Sequence, residues 1–513
     1  MMKLNCIKVH QWLDVWDQID FTKTHRRKPD PHFFMFSIKA KDLRRLSNVH
    51  RRKATGPRIS DLGIQRELRE ERSQEIAYFL EGGYPWSVLS ERQKEDPSNN
   101  KLRMPGWLPT SIIANILAPG PQNNETSLPY DEAVKIEDAN GQPLIVLPEK
   151  SINSEWKPSV SPINIIDGQH RLMALDFANN MDQNFELPVI AFYNLDITWQ
   201  AYLFYTINIK PKRIKPSLAY DLFPILRTQD WLEKSPDGLT IYKETRAQEL
   251  TEILWDHEKS PWYKRINMLD IPGEGAVTQA SFIRSLLNSF VKTSETSGDR
   301  IGGLFGASER DHEFIAWDRF QQGAFLICCW KAMELACQNL DADWAKSLED
   351  PQSTLFDSSN NAAFTSKYSL LSTDQGVRAF QNIANDTFMV SVKDLNLPHL
   401  FSSIPDNSSM TSILGSSSID VEYINTCIEI IDNNTEVSSL LSSLCLCLSS
   451  FDWRTSAAPG ISDPELQTAK KVFRGSGGYK ELRMQLLSHL AKNGTTEIST
   501  LATLIAKRLG YNK

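Results

Sequence analysis

Between Ile163 and Asn180 the chain reads INIIDGQHRLMALDFANN. An apolar run stops at Asp-Gly, five polar or turn-forming residues follow, and apolar residues then resume at a different period. Such a change of period predicts a strand that turns directly into a helix. A segment of this kind constrains its surroundings, because a buried strand feeding a helix needs further strands beside it and cover on its face.

Other strand candidates lie nearby. SIIANIL (111–117), PLIVLP (143–148) and LPVIAFYN (187–194) are short apolar runs bounded by Pro, Gly or Asn, and the last hardly alternates, which predicts burial on both faces. FFMFSI (33–38) reads as a short strand near the start. Residues 64–81 carry apolar positions at helical spacing and an Arg-rich face, with Gly82-Gly83 as the stop. ITWQAYLFYTI (197–207) reads as a helix. Loops are expected at about 96–105 and 119–128. Beyond about Leu222 the pattern turns helical, most clearly in SFIRSLLNSFV and FIAWDRFQQGAFLICCWKAMELA. The expected organisation is a basic segment over 1–55, an α/β (α+β) core over 56–225, and a mainly helical region over 226–513 with a split near 400–435.

Charge divides the same way. From Phe21 to Ser60 there are twelve Lys or Arg against Asp30 and Asp42, so the segment carries +10 and the remainder of a chain of net charge −7 carries −17. Two HRRK clusters, containing Arg26, Arg27 and Lys28 and then Arg51, Arg52 and Lys53, flank FFMFSI. They are candidate phosphate contacts for DNA, without interleaved aromatics that would read bases. A solvated surface paired with acidic residues elsewhere is the alternative. Seven cysteines, mostly inside apolar runs and with no CxxC pairs, read as buried thiols of a reducing compartment. No stretch reaches the length of a membrane span, the first twenty residues lack a signal peptide's apolar block, and a cytoplasmic location is expected.

At the turn itself, Asp167 is placed to cap the first turn of the helix, Gly168 permits a sharp bend or a close ligand, and Arg171 offers a planar fork that suits phosphate oxygens. Asp167 could instead hold a divalent cation such as Mg2+. The plain alternative is a capped turn in which Arg171 pairs with a carboxylate. There is no GxxxxGK[ST], GxSxG or HExxH. RGSGGYK (474–480) reads as a helix-entry loop, and the Asn-x-Thr matches at Asn124 and Asn433 carry no weight in a cytosolic chain.

IIDGQHRLMAL resembles the signature of the DGQHR-domain family, the DndB-like and DpdB-like proteins of DNA modification clusters, within the ParB/sulfiredoxin-like superfamily. GIQRELREERSQEIAYFL resembles the family's upstream Arg-bearing helix, and ELPVIAFYNLD with LFYTINIKPKRIKPSLAYDL its downstream blocks, so the resemblance spans about 64–222. It implies a ParB-like core that binds ATP or another nucleoside triphosphate with Mg2+ and hydrolyses it. It also implies DNA and other proteins of the cluster as partners, with a homo-oligomer as one arrangement. Asp167, Gln169, His170 and Arg171 would be the catalytic set. Gln65, Arg66, Gly168, Arg171 and Asn208 would bind nucleotide, with Lys210, Lys212 and Arg213 closing the site or lying in a solvated loop. A DNA-binding regulator with nucleotide as a switch is the second reading. A nuclease is the third, for which SERDHEFIAWDRF is the nearest stretch and reads as an amphipathic helix.

Overall fold

In the computed structural model the described residues are 2–21, 27–48, 70–123, 126–178, 184–208, 240–268, 277–292, 301–306, 315–338, 340–348, 361–404, 419–459, 461, 463–473, 475 and 477–511. The chain forms two compact units, residues 1–213 and 214–513. The first is mixed α/β and the second helical.

Among its described residues the first unit has a main sheet of eight strands. In chain order these are β1 (Lys3–His10), β2 (His32–Lys39), β3 (Ser47–Asn48), β4 (Ile112–Ile116), β7 (Lys135–Ala139), β8 (Gln142–Val146), β9 (Ile163–Asp167) and β10 (Glu186–Tyr193); β5 (Gly120–Asn123) and β6 (Thr126–Leu128) make a separate hairpin. The spatial order is β3-β9-β4-β10-β2-β1-β8-β7. β10 runs parallel to β4 and β3 parallel to β9, while the remaining pairs are antiparallel. Phe34, Phe36 and Ile38 of β2 meet Ile112, Ala114 and Ile116 of β4, Ile163 and Ile165 of β9, and Leu187, Val189 and Ala191 of β10 in one core.

The expected strands at 33–38, 111–117, 143–148, 163–166 and 187–194 are present. β10 is not buried on both faces. Leu187, Val189 and Ala191 are buried, Pro188, Ile190 and Phe192 only half-buried, and Met35, the cross-strand neighbour of Ile190, is 39% exposed. The described residues of 1–55 do not stand apart from the core, because β1, β2 and β3 supply three strands of the main sheet. The expected loop at 119–128 holds the β5–β6 hairpin. The unexpected β7–β8 hairpin had a signal in Asn140-Gly141, both at positive φ (57° and 83°), the pair that a tight two-residue hairpin turn favours.

Among the described residues five helices cover or flank the sheet: α1 (Ala40–Leu46), α2 (Glu70–Trp86), α3 (Glu91–Glu95), α4 (Gln169–Met173) and α5 (Ile197–Asn208). The regular helix of α2 breaks at Gly83, where φ is 59°, which is the stop expected at Gly82-Gly83. Residues 64–69 lie outside the described residues.

The second unit packs helices around Arg319–Gln338, of which 13 of 20 residues are buried. A helix that is apolar on nearly every side belongs at the centre of a bundle. It packs against Thr240–Asp256, Val421–Asn433 and Thr435–Ser449. Trp262 lies edge-on to Phe282 at 4.7 Å and to Trp330 at 5.2 Å. Ile315 to Asp318 precede the central helix, so the expected amphipathic helix over SERDHEFIAWDRF is not found there; 308–314 lie outside the described residues. All seven cysteines are free, and all but Cys6 are buried. Among the described residues no helix is long and apolar enough to cross a membrane.

Candidate functional site

β9 carries the candidate turn. Its register with β4 shifts at one point: Ile113 pairs with Asp167 and Ala114 with Ile165, leaving Ile166 as the extra residue of a bulge. Regular alternation would send Asp167 to the same face as Ile163 and Ile165, which are core residues. The bulge re-aims it, as bulges beside ligand sites commonly do. Gly168 follows at φ 96°, ψ 14°, and accepts the first helical hydrogen bond of α4 from the Leu172 amide at 3.0 Å. A Cβ at Gly168 would sit 2.5 Å from Ile112 Cδ1 and 3.0 Å from Arg171 Nη2. Glycine meets this conformation without strain, and a side chain here would have to displace Ile112 or Arg171.

Asp167 does not cap α4, contrary to the expectation; its carboxylate is used by two other side chains. Arg171 Nη2 donates to Asp167 Oδ2 at 2.9 Å, and Asn208 Nδ2, at the end of α5, donates to Oδ1 at 3.2 Å. The other arm of the Arg171 fork faces the entry to β4. Nη1 donates to the Thr110 carbonyl, to Thr110 Oγ1 at 2.6 Å and to the Ser111 carbonyl at 3.1 Å. The guanidinium thus ties β4, β9 and α4 together, and its charge is balanced by Asp167. α4 has only five residues, so its own dipole is small and the phosphate platform expected from the helix terminus is weaker than the sequence suggested.

Gln169 is 8% exposed, and its Oε1 is buried without a hydrogen-bond partner. Leaving such a group unsatisfied costs about 1–3 kcal/mol. His170 is half-buried on the next position of α4. The turn therefore brings Asp167, Gly168, Gln169, His170, Arg171 and Asn208 into one region. Thr110 and Ser111 join them without any signal in the sequence. Gln65, Arg66, Lys210, Lys212 and Arg213 lie outside the described residues.

A protein-held Mg2+ does not fit this geometry. Among the described residues no group of three or more His, Cys, Asp or Glu could hold a metal. Asp167 is a single carboxylate with a guanidinium nitrogen at 2.9 Å, which would repel a divalent ion. For a triphosphate the fit is conditional, since Arg171 reaches a phosphate with its full fork only by exchanging its present acceptors.

Of the residues expected to meet DNA, Arg27 and Lys28 are described; Arg26, Arg51, Arg52 and Lys53 lie outside the described residues. Arg27 donates to the Asn194 carbonyl, and Lys28 Nζ lies 2.6 Å from Asp17 Oδ1. Aromatic residues that are far apart in sequence gather beside them: Trp12, Phe21 and Trp199, with Phe21 to Trp199 at 6.1 Å.

No family model, no curated protein and no solved structure matches the chain.

Proposed function

We propose that the chain is a nucleotide-binding, ATP-hydrolysing component of a bacterial DNA modification or defence system of the 7-deazaguanine insertion or phosphorothioation type, with a ParB-like first unit. The observation that supports this reading is the convergence on Asp167 of Arg171, one helical turn away, and Asn208, forty-one residues on. This occurs around a glycine whose left-handed φ strains any side chain. It brings together the DGQHR stretch and the downstream asparagine, the residues that the sequence resemblance selected.

In this reading the Gln169 carboxamide and Arg171, once it leaves Asp167, receive the nucleotide, Asn208 keeps its hydrogen bond to the Asp167 carboxylate, and His170 or Gln169 orients the attacking water. Mg2+ would arrive with the triphosphate. Purified protein given ATP and Mg2+ releases phosphate, and Arg171→Lys, which keeps the charge and loses the fork, lowers turnover tenfold or more with an unchanged circular dichroism spectrum. Equal turnover in the variant would sink the proposal.

The internal pairing of Arg171 favours a second reading. A guanidinium that must leave Asp167 to grip a phosphate is a two-state element, and a DNA-binding regulator could use nucleotide in this way without hydrolysis. ATP binding with no phosphate release selects this alternative.

A further inference from the structure

The first unit carries a cleft of about 320 Å3 at the end of β10, lined by Arg27, Lys28, Asp30, Tyr193, Asp196 and Trp199 together with the intervening backbone. Its walls are set by buried polar contacts. The Asn115 carboxamide accepts from the Leu195 amide at 2.8 Å and donates to the Leu195 carbonyl at 3.3 Å, and Gln200 Nε2 donates to the same carbonyl at 2.8 Å. Asp196 is committed to the start of α5, where its carboxylate accepts from the Thr198 amide and hydroxyl at 2.8 and 2.6 Å. Trp199 Nε1 donates to the Arg27 carbonyl at 2.8 Å and so closes the N-terminal segment onto α5.

A row of rings extends from this cleft. Trp16, Trp12, Phe21, Trp199 and Tyr202 follow one another with centroid separations of 5.3, 6.3, 6.1 and 5.5 Å. Trp16 is 38% exposed and Tyr202 47%, so the row reaches solvent at both ends. Lys28 Nζ lies 5.3 Å from the Trp12 ring. Arg27 and Lys28 share the cleft with Asp30 and Asp196, and Lys28 also pairs with Asp17, which leaves charge alone unable to select a polyanion. Aromatic rings, of which Tyr193 and Trp199 line the cleft, with hydrogen-bonding groups of both kinds beside them suit a heterocyclic base, and the cleft volume is at the lower end of small-ligand sites.

We infer that this cleft and its aromatic row bind single-stranded nucleic acid, stacking unpaired bases on Trp16, Trp199 and Tyr202 with Arg27 and Lys28 on the adjoining phosphates. The inference takes only DNA as the partner class from the proposed function, and it does not use the Asp167 turn.

Fluorescence anisotropy with the full chain and a labelled 20-nucleotide oligothymidylate tests it. The strand binds more tightly than a duplex of equal length. Trp16→Ala and Tyr202→Ala each weaken binding about tenfold, within the range for loss of one base–aromatic stack. Two phosphate contacts predict a slope of log K against log salt of about −1 to −2, whereas the charge of segment 21–60 acting alone would give about −7. Unchanged affinity in both variants, duplex binding as tight as single-strand binding, or the steep slope would overturn the inference. Strand binding that persists in Arg171→Lys, with ATP turnover lost, separates this site from the nucleotide site. Should wild-type turnover prove absent, the strand-binding result still stands or falls on its own.

Discussion

Arg171 Nη2 lies 2.9 Å from Asp167 Oδ2, and the same guanidinium reaches Thr110 through Nη1. The residue most suited to grip a phosphate is therefore held by a carboxylate of its own turn, which makes Asp167 a competitor of any anionic ligand. Asp167→Asn removes that competition. The expected result is ATP binding tightened several-fold by calorimetry, against a cost in stability of about 1–3 kcal/mol for the lost charged hydrogen bond. Weakened binding would mean that Asp167 acts on the nucleotide directly.

Gly168 gives a second prediction. At φ 96°, with Ile112 Cδ1 at 2.5 Å from the missing Cβ, alanine must strain the backbone and push aside either Ile112 or Arg171. Gly168→Ala is expected to lose about 1–3 kcal/mol in urea denaturation and to abolish nucleotide binding. Wild-type stability would show that the turn relaxes freely.

In the helical unit Arg483 Nε donates to Asp386 Oδ2 at 2.9 Å, and Asn385 Nδ2 donates to Oδ1 at 3.4 Å. Asp386 is 1% exposed. Arg483→Met leaves a buried carboxylate without its cation and is expected to cost about 3–5 kcal/mol, most of it recovered in the Asp386→Leu/Arg483→Met double variant. Chemical denaturation of the two variants and the parent measures the difference.

His257 sets a pH dependence. It is 1% exposed, its Nδ1 accepts from the Lys259 amide at 3.2 Å, and burial pushes its pKa below the ordinary 6.5. The neighbouring Lys259 lowers it further, against upward contributions from the Val421 backbone and the Glu258 and Asp256 carboxylates. A base with a depressed folded pKa stabilises the native state above 6.5 and loses that contribution as pH falls towards the folded value. Tm should fall between pH 7 and pH 5, with a shallower fall in His257→Gln; parallel curves would remove His257 as the cause.

Much of the fold was legible because its signals are local. The apolar runs of β4, β9 and β10, the Gly83 stop and the central helix Arg319–Gln338 each announce themselves within a dozen or so residues. β1 did not, since KLNCIKVH is mostly exposed or half-buried and alternates imperfectly. The hairpin at Asn140-Gly141 was readable from a two-residue turn and shows that a short polar strand such as KIEDA depends on its turn for recognition. The two-sided burial read for β10 failed because its hydrophobicity reports what could be buried, and only its neighbours decide what is.

The candidate site divides along the same line. The sequence by itself determined that a strand would end at Asp167, that Gly168 would bend the chain, and that a helix bearing Gln169, His170 and Arg171 would follow, because period and turn chemistry act between neighbours. Only the tertiary structure decided that Ile166 would bulge and re-aim Asp167. It alone decided that the other arm of Arg171 would be spent on Thr110, that Asn208 would arrive from α5, and that Trp199 would stand beside Arg27 and Trp12 beside Lys28. These are contacts between segments dozens of residues apart, set by sheet register and packing, and no local pattern encodes where two distant segments will meet.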